Sequence, residues 1–213
     1  MSFVVLNPNT SVEMTDAVVA RLRPLMPASA VLHGMTARQG CPVIDSRETF
    51  DIGGRTAIEM LAEVPDAADA ILLACFGDPG LLQMRALTST PVVGLAEAAI
   101  VEAAARAERF GILTAGRAWV PMLQECVSGY GAADRLTGVY ALDANGAALR
   151  RDPSAFADQI ARLAARAREE GAQALILGGA AFAGLDFDLP PGLVTIDAFA
   201  AAARRLMAIG TRA

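Results

Sequence analysis

The feature that most constrains the fold of this chain is a steady exchange of short, β-branched apolar runs with longer helical segments. FVVLN (3–7) precedes the helical stretch SVEMTDAVVARLRPL, and AVLHGMT (30–36) leads through a loop to a helix near residues 50–63. AILLACF (70–76) is apolar throughout, as expected of a strand covered on both faces. A short helix in DPGLLQMRAL, the strand PVVGL and the helix AEAAIVEAAARAE follow. The series then starts again with FGILTAG (110–116), a helix through Cys126, GVYAL (138–142), a helix over about 153–170, ALILGGA (174–180), LVTID (193–197) and a closing helix. Such alternation predicts an α/β fold of parallel sheets flanked by helices.

The two halves echo each other. FVVLN matches FGILT, ADAILLACFGDPG matches AQALILGGAAFAG, and PVVGLAEAA matches GLVTIDAFA, each at an offset of about one hundred residues. That spacing is too long for a solenoid repeat and suits two related, pseudo-symmetric lobes. We place the first lobe at 1–98 and the second at 99–197, with the closing helix, about 198–213, packing back on the first. Ligands of such sheets lie beyond the carboxyl ends of the strands. Two lobes facing each other would surround one cleft with those ends.

Composition removes several function classes. The net charge is −5 and no basic patch is visible, so no nucleic-acid partner is expected. Apolar runs fall far short of the roughly 18 residues that span a bilayer, so no membrane partner is expected either. The opening MSFVVLNPNT reads as a first strand rather than a signal peptide. Three widely spaced cysteines, Cys41, Cys75 and Cys126, argue against a disulfide framework and fit a reducing cytoplasm. The single histidine, His33, leaves no room for a multi-histidine zinc site and is read as structural or solvent-facing. Small α/β enzymes usually associate through symmetric contacts, so a homo-oligomer is expected.

The strand ends carry the candidate chemistry. After the first strand, Thr10 is expected to cap the next helix with Glu13 as its capping-box partner. Asn7, Asn9, Thr10 and Ser11 offer hydrogen bonds to a carbonyl-rich ligand. After the third strand comes Cys75. Asp78 and Pro79 read as the N-cap and first residue of the following helix, which would set Cys75 near a helix N-terminus and lower its pKa. On that reading Cys75 is the most readily alkylated cysteine; a small core residue is the other reading of the same apolar run. Glu97 either faces the ligand or starts a helix, and Cys126 is read as core packing. In the second half Thr114, Gly116 and Arg117 follow a strand, and Gly178, Gly179 and Ala180 occupy the place that mirrors Cys75. Phe76, Trp119 and Phe182 are the aromatic candidates for a pocket wall or for core.

LNPNTSVEMT, LLACFGDPGL, PVVGLAEAA and ALILGGAAFAG, in this order, resemble the hydantoin racemase group of the Asp/Glu racemase superfamily over essentially the whole chain. The resemblance implies a cofactor-independent isomerase with two related α/β lobes and its active site in the cleft between them. It implies a small-molecule substrate with an acidic C–H beside a carbonyl: a hydantoin, a ureide or an amino-acid derivative. No metal is implied. Two cysteines are implied on opposite faces of the substrate carbon. The first falls on Cys75; the second belongs in a motif resembling LGCAG, which here reads LGGAA, with Gly179 in its place. Cys75 and Gly179 are therefore expected to face each other. Substrate binding is expected from Asn7, Asn9, Thr10, Ser11, Phe76, Gly77, Thr114, Gly178 and Ala180. A thiol can serve as the acid or base that racemisation needs on each face; glycine cannot. That departure keeps two alternatives in play: a single-cysteine decarboxylase or isomerase, and a non-catalytic binder of a small carboxylate or ureide.

Overall fold

A computed structural model describes residues 1–211 apart from Ala183 and Asp186. Those two positions, inside the LGGAAFAGLDF stretch, and the last two residues assigned to the closing helix lie outside the described residues. The chain divides into two compact units: Met1–Ala98 together with the residues from Phe199 onward, and Ala99–Ala198.

The first unit is built on β1 (Ser2–Asn7), β2 (Val31–Thr36), β3 (Ala70–Leu73) and β4 (Val92–Gly94), in the order β2-β1-β3-β4 and parallel throughout. Its helices are α1 (Val12–Leu22), α2 (Arg47–Glu59), α3 (Leu81–Leu87), the start of α4 (Leu95–Arg106) and α8 (Ala198–Gly210). The second unit repeats this with β5 (Phe110–Ala115), β6 (Leu136–Leu142), β7 (Ala174–Leu177) and β8 (Val194–Asp197), ordered β6-β5-β7-β8. Its helices after α4 are α5 (Trp119–Gly129), α6 (Gly146–Arg151) and α7 (Ala157–Glu169).

The central strands explain the pattern. Phe3–Leu6 and Ala70–Leu73 are fully buried, as continuous apolar runs covered on both faces must be. β2 is an edge strand with a largely exposed face, and His33 lies on it in contact with solvent. α8 closes against the start of β1. A Cβ on Gly210 would lie 2.6 Å from Met1 Sδ and 3.1 Å from Phe3 Cζ, so only glycine fits there.

Sheet register makes the two units comparable residue by residue. Leu6 pairs with Leu73 in one and Leu113 with Leu177 in the other. Beyond those pairs, Ala74 N–H donates to Leu6 O and Gly178 N–H to Leu113 O, both at 2.8 Å. Counting on from these bonds, Asn7 corresponds to Thr114 and Cys75 to Gly179.

Three helix starts differ from the sequence reading. The N-cap of α1 is Ser11, not Thr10: Ser11 Oγ accepts the Met14 amide at 3.1 Å. Thr10 instead donates its N–H to Cys41 O at 3.0 Å, and Glu13 lies in the first turn, where negative charge is favourable. α3 starts later than expected, with Gly80 as N-cap at φ +79° and no side-chain cap. Gly80 is required twice over, by its left-handed backbone and because a Cβ would come 2.7 Å from Gly54 O on α2. α6 was not anticipated; Asn145 caps it by accepting the Ala148 amide at 2.9 Å.

Leu72 lies at the centre of the first sheet with no exposed surface. Leu72→Ala should cost about 2–5 kcal/mol, read as a lower urea midpoint with an unchanged slope.

Candidate active site

The loop after β1 is held together by its own asparagines. Asn7 is fully buried, and its Nδ2 lies 2.9 Å from Asn9 Oδ1, 3.1 Å from Ser11 O and 3.0 Å from Thr15 Oγ1. Its Oδ1 accepts the Asn9 amide at 3.2 Å. Thr15 Oγ1 is in turn 2.6 Å from Thr36 Oγ1, which ties the loop to β2. Asn7 therefore shapes the loop from inside. Asn9 Oδ1 also accepts the Ser11 amide at 2.9 Å, while its Nδ2 and the Thr10 hydroxyl make no hydrogen bond among the described residues. These two groups are the loop's unused polar atoms.

Cys75 stands two residues beyond the end of β3, half-buried, between Ala74 and Phe76, both buried. The Asp78 amide donates to Cys75 O at 3.1 Å and closes a turn around the thiol. The amides of Phe76 and Gly77 inside that turn have no hydrogen-bond partner among the described residues. Unpaired backbone donors in a buried turn point to a ligand or water that completes them.

Asp78 does not cap α3. It is buried at 6% exposure with φ +55°, and its carboxylate reaches the start of α4. Oδ1 accepts the Ala96 amide at 2.9 Å and Oδ2 the Glu97 amide at 2.7 Å. Gly94 leaves the space: a Cβ there would lie 2.5 Å from Asp78 Oδ2. Glu97 stands in the first turn of α4 and is held by Arg85, Nη1 to Oε1 at 2.9 Å and Nη2 to Oε2 at 2.6 Å. It is not a free acid.

This arrangement reverses the expected electrostatics of Cys75. Burial pushes its thiol well above the usual range near 9, and the Asp78 carboxylate and then the Cys41 thiol push it further. The helix that was to stabilise a thiolate begins at Leu81, too far along the chain to favour the thiolate, and the nearest capping carboxylate is a like charge. Cys41 is buried, with its own thiol raised chiefly by desolvation and with Sγ 3.6 Å from Thr49 O. Cys126 is half-buried on α5 beside the buried Met122, Leu123 and Val127, not in the interior.

In the second unit, Thr114 lies on β5 at 3% exposure, and its hydroxyl makes no hydrogen bond among the described residues. Gly178 continues the β7 ladder. Gly179 turns to φ +97°, and its carbonyl accepts the Phe182 amide at 3.2 Å. The amides of Gly179 and Ala180 have no partner among the described residues. Phe182 belongs to the core, edge-to-face with Phe187 at 6.3 Å, rather than to a pocket wall. Arg117 is largely exposed and pairs with Asp143, Nη2 to Oδ1 at 2.6 Å. Trp119 is half-buried at the start of α5. Within each unit, then, the expected site residues gather at the carboxyl edge of its sheet. Among the described residues no group of three His, Cys, Asp or Glu is placed to hold a metal ion, and no helix is long and apolar enough to cross a membrane.

Residues 4–206 match the Asp/Glu/Hydantoin racemase family. This chain belongs to that family. It is 31% identical over 218 residues to a hydantoin racemase of Paenarthrobacter aurescens, covering 99% of this chain and 92% of that protein. It resembles the solved allantoin racemase from Klebsiella pneumoniae with a TM-score of 0.85 and 29% identity, covering 100% of this chain and 88% of that one. The fold of the allantoin racemase from Pseudomonas fluorescens is closer still, at a TM-score of 0.92, with 23% identity over 100% of this chain and 92% of that one. As a member of the racemase family the chain is an isomerase.

Two outcomes follow from the geometry around Cys75. Its alkylation by iodoacetamide, mapped by mass, should keep accelerating as pH rises past 9 instead of levelling off there. Gly94→Ala should drive the Asp78 carboxylate off the α4 amides and lower unfolding free energy by about 2 kcal/mol or more in denaturant titration.

Proposed function

We propose that this racemase-family member acts, without a cofactor, on a carbon acid beside a carbonyl in a hydantoin, an allantoin-like ureide or a related amino-acid derivative. Cys75 exchanges the proton at that carbon. The observation that carries this reading is a half-buried thiol at a central strand end, followed at once by two unpaired amides, Phe76 and Gly77. Donors aimed at a carbonyl oxygen stabilise the enolate that proton removal creates. Asn9 Nδ2 and the Thr10 hydroxyl are further donors in the first unit; Thr114 and the amides of Gly179 and Ala180 are the candidates in the second. The names of the relatives support the substrate class. Three cysteines, none in a disulfide, suit a reducing, cytoplasmic setting.

The raised thiol shapes the mechanism. A thiolate formed from it is scarce at neutral pH but strongly basic, which suits a weakly acidic C–H. Removal of the proton yields the enolate and a neutral thiol, and return of that proton restores the starting stereoisomer. Inversion needs a donor for the other face of the carbon. Gly179, equivalent to Cys75 by register, has no side chain to give one.

A second reading rests on the same two facts. A thiol held protonated is an acid ready for use, and protonating the enolate left by loss of carbon dioxide needs an acid and no opposing base. A malonate decarboxylase would make do with Cys75 alone.

The test follows deuterium and optical rotation together, for a panel of 5-substituted hydantoins and allantoin in heavy water. Exchange should outrun inversion, and both should rise with pH. Cys75→Ser should suppress both by about 10²-fold or more. Gly179→Cys should accelerate inversion, at a stability cost of about 1–2 kcal/mol because its φ of +97° disfavours a side chain. Inversion as fast as exchange in the unaltered protein would refute the missing acid. No exchange with any member would refute the racemase reading, and carbon dioxide release from malonates would then establish the second.

A further inference from the structure

The reading above uses Cys75 but gives no part to the buried carboxylate three residues on. Asp78 joins two structures. Its amide closes the turn around Cys75, and its carboxylate takes both leading amides of α4. Its carbonyl accepts the Leu81 amide at 3.2 Å, which sets the entry into α3. Asp78 is the only described residue other than glycine with a left-handed backbone. Holding that conformation costs of order 1 kcal/mol, and the two charge-assisted bonds to α4 outweigh it. A plain helix cap would need none of this, since a Ser, Thr, Asp or Asn at position 94 could cap α4 locally. Instead position 94 is a glycine, and the cap is delivered from the turn that carries the thiol.

We propose that Asp78 is a positioning residue for Cys75: anchored on α4, it fixes the thiol-bearing turn and places a permanent negative charge beside the sulfur. The charge keeps the thiol protonated in the empty site and makes the thiolate a stronger base once formed. The groups that face Cys75 electrostatically are Asp78 from its own turn and the Cys41 thiol from the loop ahead of α2. Next outward is Glu97 of α4, whose charge is matched by Arg85 of α3. Asp78 is therefore the one full charge at the thiol that no cation balances directly. The α4 N-terminus offsets part of it without removing it.

The inference rests on Cys75 being the reactive group, but its main test needs no turnover. Asp78→Asn keeps an oxygen for α4 and tolerates the left-handed backbone while removing the charge. Asp78→Gly also accepts that backbone and removes charge and cap together. The alkylation rate at each cysteine is measured at pH 8 in the intact protein. In both variants Cys75 should react about tenfold faster, as expected for a downward shift of about one pH unit. Cys41, whose thiol is affected by Asp45 and not by Asp78, should keep its rate. Only Asp78→Gly should lose appreciable stability. An unchanged rate at Cys75 in Asp78→Asn, or an equal rise at Cys41, would reduce Asp78 to a helix cap and overturn the proposal. Should turnover be found, the alkaline rise of kcat/KM should move to lower pH in Asp78→Asn with it. Should no substrate turn over, the alkylation result still decides the role of Asp78, separately from the racemase reading.

Discussion

The pairing of β1 with β3, and of β5 with β7, is the constraint on which the rest depends. Each pair lies at the centre of a parallel sheet and is buried on both faces, so it cannot slip without exposing a full set of apolar side chains. Register therefore fixes where each strand stops. The last ladder bonds, from Ala74 and Gly178, deliver the chain to the turns that hold Cys75 and Gly179. Every group discussed as a donor or a base hangs from those two points. Loops alone could not hold them with that accuracy, because loops have no register.

At Cys75 two opposing effects were available, and their magnitudes decide between them. A helix N-terminus contributes roughly half a positive charge, which falls off within a turn. A carboxylate contributes a full negative one. Here the α4 N-terminus faces the carboxylate and the carboxylate faces the sulfur, so the thiol experiences the dipole only after Asp78 has met most of it. Partial burial acts in the same direction as the carboxylate. The protein thereby favours a strong base over an abundant one.

Much of the fold was legible because periodicity is local. Strand runs, helix runs and the echo between halves are each contained in a dozen residues, and all eight strands lie where the apolar runs place them. What escaped was long-range or degenerate. Thr10 and Ser11 are both good caps, and the choice of Ser11 depends on Asn7 and Asn9 consuming the turn before it. Asp78-Pro79-Gly80 has the composition of a helix start, yet its carboxylate finds amides eighteen residues downstream. A glycine immediately ahead of an uncapped helix, as at Gly94, was the available signal. The sulfur's elevated pKa followed from that same contact, so one misplaced cap reversed the sign. At Gly179 the residue type was legible but its φ was not, and the φ bears on whether a side chain is tolerated there.

The placement of α8 has a consequence for how the molecule is made. The first unit is discontinuous: its sheet comes from residues before Ala99, while the helix that packs on Met1 and Phe3 comes after Ala198. The second unit lies wholly between. A ribosome therefore releases the second unit as a complete, contiguous set before it releases the last helix of the first. β1, the earliest strand made, waits for the latest helix with part of its apolar surface uncovered. The late step is the long-range one, with the greatest loop-closure entropy and the longest exposure to misassembly and to chaperones.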